Sequence, residues 1–92
     1  MRVVFTELAW EEYTSFLQRD RTVLKRANAV IADIVRDPFN GIGKPEPLKH
    51  QLAGFWSRRL TQEHRIVYQV TGEDIVIVRV GGHYEKPQAR EP

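Results

Sequence analysis

No cysteine occurs in the 92 residues of this chain. That absence removes disulfides, zinc-thiolate sites and thiol nucleophiles together, and it agrees with a reducing compartment, so a cytoplasmic location is expected. No apolar run approaches the roughly 18 residues that a membrane span needs, and no membrane partner is expected. Met1-Arg2-Val3-Val4-Phe5 meets Glu7 before an apolar region of useful length develops, so a secretory leader is not expected either. His50, His64 and His83 are the only histidines, and they form neither an HxH nor an HxxxH pair. The expectation is therefore no metal and no other cofactor. A large excess of one charge is missing too. The net charge is +2 and the isoelectric point near 9.2, too mild by themselves to mark a nucleic-acid binder.

What is present is a globular composition, 41% apolar and 28% charged, in a length suited to one domain. Residues 2–5 look like a short strand, and Thr6 is placed to cap a helix over about Glu7 to Gln18, read from Trp10, Tyr13 and Leu17 with Ala9 and Phe16 widening the stripe. Asp20 is a second cap candidate. Beyond it Val23, Ala27, Val30, Ile31, Ile34 and Val35 recur at helical spacing until Asp37-Pro38 ends the helix. Residues 38–47 carry Asn40-Gly41, Gly43 and three prolines, hence a stiff loop. Strands are expected at about 55–61, 65–70 and 75–80, the last two joined by a four-residue loop over 71–74. The order β-α-α-β-β-β predicts an α+β fold, an antiparallel sheet with a two-helix hairpin packed on one face. The domain spans residues 1–84, and the polar, proline-bearing tail 85–92 is expected to be disordered.

Charge is concentrated in one stretch. Residues 44–65 hold Lys44, Lys49, Arg58, Arg59 and Arg65 against Glu46 and Glu63, beside the aromatics Phe55 and Trp56. Taken singly each cation reads as solvated surface. Together they predict a strip for RNA or phosphate. A hairpin that pairs Val70 with Ile75 would pair Arg65 with Val80, turning Ile66, Tyr68, Val70, Ile75 and Ile77 toward the helices and Arg65, Val67 and Gln69 toward an open face. Glu46, between Pro45 and Pro47, is either a pre-positioned general base or a loop carboxylate paired with Lys44 or Lys49. His64 is expected in a turn, facing solvent. Alternation from Val80 would place His83 on the helix face, away from Arg65, unless Gly81-Gly82 permit a bulge.

Several runs resemble the YoeB/Txe toxins, in the RelE superfamily of ribosome-dependent messenger-RNA endoribonucleases from bacterial toxin–antitoxin pairs. They are Asp37-Pro38-Phe39, Gly43-Lys-Pro-Glu-Pro-Leu-Lys-His50, Gly54-Phe-Trp-Ser-Arg-Arg-Leu-Thr61, Glu63-His-Arg-Ile-Val-Tyr68 and His83-Tyr84. The resemblance implies a RelE-like fold with Glu46 as general base, Arg65 as stabiliser of the transition-state phosphate and His83 as general acid. It makes Tyr84 an aromatic of the active site, and Lys49 and Arg59 basic residues near the RNA. Arg58 and Lys44 join the expected RNA-binding set through the basic strip. The resemblance also implies a homodimer that docks in the ribosomal A site, on the small ribosomal subunit, with messenger RNA as substrate and an antitoxin of the YefM/Axe type as partner. Family members commonly stop at or just after the His-Tyr pair and often carry an arginine shortly before it, whereas here Gly81-Gly82 precede it and Glu85 to Pro92 follow. The competing expectation is a non-catalytic ribosome- or RNA-binding module, and a third is a protein-interaction domain whose open face holds a peptide.

Overall fold

Two side-chain caps organise the helical half of the molecule. In the computed structural model, which describes residues 1–82, the Thr6 hydroxyl accepts the Ala9 N–H at 3.1 Å and starts α1 (Glu7–Arg19). Asp20 then ends α1 in an extended conformation, and its carboxylate accepts the N–H groups of Thr22 and Val23 at 3.0 and 3.3 Å to start α2 (Arg21–Arg36). One residue thus reverses the chain. The Tyr13 hydroxyl donates to Asn28 at 2.6 Å, a contact symmetric about that residue, as an antiparallel helix hairpin requires. The cap at Asp37, before Pro38, closes α2 where the sequence predicts. His83, Tyr84 and the tail 85–92 lie outside the described residues.

The strands are β1 (Arg2–Phe5), β2 (Glu46–Pro47), β3 (Trp56–Arg59), β4 (Arg65–Thr71) and β5 (Asp74–Val80), in sheet order β1-β5-β4-β3-β2. From β2 to β5 the pairing is antiparallel, but β1 runs parallel to β5, so the sheet is mixed and not antiparallel throughout. The cause is topological: the helix hairpin carries the chain from β1 at one sheet edge to β2 at the other, and three antiparallel steps then bring β5 back beside β1 in the same direction. The turn between β4 and β5 is also tighter than expected, because Thr71 already pairs with Asp74 and only Gly72-Glu73 lie between. No helix among the described residues is long and apolar enough to cross a membrane.

The core gathers Ala9 and Phe16 from α1, Val23, Ala27, Val30 and Ile34 from α2, Leu60, and Ile66, Tyr68, Ile75, Ile77 and Val80 from the sheet. The expected sheet set is therefore on the helix side. The stripe of α1 is corrected: Ala9 and Phe16 are buried, whereas Trp10 and Leu17 are half exposed. Trp10 packs instead edge-on to Phe5, with ring centroids 5.4 Å apart.

A bulge alters the register of the last hairpin. Val70 faces Ile75 as expected, but Tyr68 pairs with Ile77 and Val67 with Arg79, which leaves Val78 without a partner. The partner of Val80 is consequently Ile66 in the core, and not Arg65. Glu12 of α1 supports this irregular edge: its carboxylate accepts the Val80 N–H at 2.7 Å and pairs with the Arg79 guanidinium at 2.9 Å.

Candidate active site

The loop that carries Glu46 is tied down by a buried arginine. Trp56, Arg58 and Leu60 alternate toward the helix side of β3, so the Arg58 side chain enters the interior, where it is 0% exposed. It donates to Asp33 Oδ2 at 2.6 Å, to the carbonyls of Asp37 and Ile42 at 2.6 and 3.0 Å, to the Asn40 carbonyl at 3.4 Å and to the Tyr68 hydroxyl at 3.2 Å. Tyr68 in turn donates to the Pro38 carbonyl at 2.6 Å, and Asp33 Oδ2 accepts the Ile42 N–H at 2.9 Å. Both ends of residues 37–42 are thereby fastened to α2 and the sheet. Hydrogen bonds from Arg36, the Ile42 N–H and Arg58 hold the Asp33 carboxyl well below the usual carboxylate range, while burial pushes the Tyr68 phenol up. Arg58 is thus removed from the RNA-facing set: a guanidinium enclosed by these oxygen acceptors and shut off from solvent has no donor to offer a phosphate. Sequence reasoning placed Tyr68 on the helix side but gave neither it nor Asp33 a part in holding this loop. The signal for Arg58 was its parity with Trp56 and Leu60.

Beyond this anchor the chain enters the sheet. Gly43 accepts the Arg59 N–H at 2.7 Å, and a side chain at Gly43 would strike the Arg59 carbonyl, so only glycine permits the approach. Lys44 follows in the left-handed region at φ 55°, a conformation that costs a non-glycine residue about 1–3 kcal/mol and gathers at functional sites. Glu46 then pairs with Ser57, and Ser57 with Val67, in one row across the sheet. Arg59 stands opposite Arg65 two residues along. Cross-strand partners share a face, so Glu46, Ser57, Arg59, Arg65 and Val67 all lie on the side away from the helices. Ser57 and Val67, 1% and 5% exposed, form a floor between the exposed Glu46 and the arginine pair. A strand spacing of about 4.8 Å and a rise of about 3.3 Å per residue put the Cα atoms of Glu46 and Arg65 about 12 Å apart.

Like charges placed directly opposite on a sheet destabilise it. The Arg59–Arg65 pair therefore has the form of an anion site. Among the described residues Glu46 forms no ion pair, so the alternative in which Lys44 or Lys49 neutralises it is not what the fold adopts. Lys44 and Lys49 are exposed, Lys49 at the start of a short 3₁₀ turn over His50–Leu52. Trp56 belongs to the other face, against the core and within 4.9 Å of Phe39, so of the two expected aromatics it is not beside the strip. His64 does not simply face solvent. Its Nδ1 accepts the Gly82 N–H at 2.8 Å, and its ring meets Phe16 edge-on. Arg65 exchanges backbone bonds with the two glycines, accepting from Gly81 at 2.7 Å and donating to Gly82 at 3.2 Å. The residues that directly precede His83 are thus bonded to the strand that carries Arg65.

A helix hairpin on a mixed five-stranded sheet, with a carboxylate and paired arginines on the far face, makes this a small α+β protein with a charged open face. Residues 5–84 match the model of the YoeB-like toxins of bacterial type II toxin–antitoxin systems. Over nearly their whole lengths the chain is 51% identical to toxin YoeB of Synechocystis (94% of this chain, 100% of that protein) and 54% identical to toxin YoeB of Streptomyces coelicolor (91% and 100%). Its fold superposes on the YoeB/ParE toxin from Agrobacterium tumefaciens with a TM-score of 0.88 at 41% identity, over 91% of this chain and all of that one. It superposes on the Staphylococcus aureus YoeB of a heterotetrameric YoeB–YefM complex with a TM-score of 0.82 at 40% identity, covering 91% of this chain and 98% of that one. The chain belongs to the YoeB-like toxin family.

Proposed function

We propose that the protein is the toxin of a type II toxin–antitoxin pair and acts as a ribosome-dependent endoribonuclease, cutting messenger RNA in the ribosomal A site and so inhibiting translation. The observation that carries this reading is the placement of Glu46 on the same face as the opposed Arg59 and Arg65. Glu46 takes the proton of a ribose 2′-OH, and the freed oxygen attacks the adjacent phosphorus. Arg65, with Arg59 beside it, stabilises the added charge of the phosphorane. His83 protonates the departing 5′-oxygen, which leaves a 2′,3′-cyclic phosphate and a free 5′-hydroxyl. Tyr84 is assigned to the same site, and Lys44 and Lys49 to the flanking RNA. The alternation argument against His83 loses its premise, since Val80 lies in the core and not on the face of Arg65.

The same reading supplies the partners. A YefM/Axe-type antitoxin is proposed from the Staphylococcus aureus complex, and a homodimer from a solved YoeB dimer of that organism. A shallow site on a small sheet has few means of orienting a flexible strand, so the ribosome must supply the alignment. Messenger RNA should be cut when ribosome-bound and be nearly inert when free. Primer-extension mapping with and without ribosomes tests this: equal rates reject the dependence, and ribosome binding without cutting establishes the non-catalytic alternative.

A further inference from the structure

The proposed chemistry uses Glu46, Arg65 and His83 and leaves His64 without a task, although among the described residues its imidazole makes the one side-chain bond to the turn from which His83 departs. Three hydrogen bonds join that turn to the start of β4. Two are the backbone bonds between Arg65 and Gly81-Gly82, and the third runs from the Gly82 N–H to His64 Nδ1 at 2.8 Å. Only glycine fits the first position of the turn. Gly81 sits at φ 94°, and a Cβ there would lie 2.6 Å from the Phe16 ring, the ring that also meets His64 edge-on. The His64 backbone is fixed from the other side, its N–H donating to the Thr61 hydroxyl at 3.1 Å and its carbonyl accepting from Leu60 at 2.8 Å.

An imidazole nitrogen accepts a hydrogen bond only while it carries no proton, so this contact exists with the neutral ring protonated at Nε2. On the imidazolium Nδ1 becomes a donor and faces another donor. We infer that His64 is a positioning residue for the proposed reaction, whose neutral imidazole fastens the Gly81-Gly82 turn to β4 and releases it on protonation. The charged groups around it are Arg19 of α1, 4.6 Å above the Phe16 ring, Asp20 at the helix junction, Glu63 of its own turn, and the neighbouring Arg65 of β4. Asp20 and Glu63 line one surface pocket with His64, and α2 adds only apolar Val23 there.

The inference rests on the proposed reading and predicts two opposed effects of acid. A general acid must be protonated, so its loss of a proton gives an alkaline limb. Protonation of His64 gives an acid limb, because it removes the acceptor of the Gly82 N–H. The test combines single-turnover cleavage of ribosome-bound messenger RNA across about pH 5 to 8 with amide spectra of isotope-labelled wild-type protein. His64→Ala removes the acceptor and should slow cleavage about tenfold, the size expected for one lost hydrogen bond. His64→Asn puts an amide oxygen where Nδ1 stood, and should restore the rate and abolish the acid limb. His64→Gln places its oxygen one carbon further and should not rescue. In the spectra the Gly82 amide should shift with the titration of His64. Equal rates for the Asn and Gln variants, an acid limb that survives in His64→Asn, or a Gly82 amide indifferent to His64 would each overturn the inference. Absence of cleavage by the wild type would instead count against the endoribonuclease reading, and the amide titration would still decide the contact.

Discussion

Arg58 shows how far a residue's chemical type can mislead about its place. Beside Arg59 it looks like surface charge, yet it is the most enclosed cation among the described residues and fastens the loop ahead of Glu46. Its paired, fully hydrogen-bonded state is what allows it to be buried. Arg58→Ala would strand Asp33 and the loop carbonyls, and should destabilise the fold by about 3–5 kcal/mol in denaturant unfolding. Lysine should not rescue it, because a single ammonium cannot replace a planar fork with acceptors on several sides. Its partner makes a pH prediction. The Asp33 carboxyl is depressed first by Arg36, then by the Ile42 N–H and Arg58, so the folded state holds its proton more weakly than the unfolded one. Its contribution is complete above the unfolded value of about 3.9 and is lost as pH falls from there toward the depressed folded value. Acid unfolding followed by circular dichroism should therefore be steeper below about pH 4 in the wild type than in Asp33→Asn. Glu46 stands out in the sequence because prolines bracket it, and the burial of Arg58 was readable from its parity with Trp56 and Leu60. Asp33 was not, since a carboxylate outside the apolar stripe of a helix looks like any other.

At the scale of elements, caps and helix ends were readable because each depends on residues adjacent in sequence: Thr6, Asp20 and Asp37-Pro38. The bulge at Val78 was not. Ile75, Val76, Ile77, Val78 and Val80 are all apolar, so no alternation marks where the register slips, and the group that supports the slip, Glu12, comes from the first helix. Nor could two residues of β2, one a proline, announce themselves as a strand, although they carry Glu46 into register with Ser57. The bulge has a testable support. Glu12→Ala removes the acceptor of the Val80 N–H and the partner of Arg79, and should cost about 1–2 kcal/mol, discounted for partial exposure. Hydrogen exchange should localise the effect, with Val80 losing protection while Ile66 and Tyr68 at the centre of β4 keep theirs. Uniform loss of protection would mean that Glu12 serves the whole fold and not this edge.

For the whole molecule, the proposed reading requires two separately built halves to present their groups to one face. The Arg58 anchor delivers Glu46 from the loop side, and the bulged hairpin, tied through Arg65 to Gly81-Gly82, delivers the chain into His83 from the other. If the proposed chemistry holds, the two halves act in one transition state and their losses cannot multiply freely. Glu46→Gln removes the base, Arg65→Ala the charge stabilisation and His83→Gln the leaving-group proton. Each should depress the single-turnover rate by about 10² to 10⁴-fold while ribosome binding persists. The double variant Glu46→Gln/His83→Gln should lose less than the product of the two single losses, because proton removal without proton delivery already leaves the phosphorane without a productive exit. Full multiplicativity would show the two groups acting in separate steps. A wild-type rate in His83→Gln beside a crippled Glu46→Gln would keep the base and the arginine pair, and would hand protonation of the 5′-oxygen to the ribosome or to another side chain of this face.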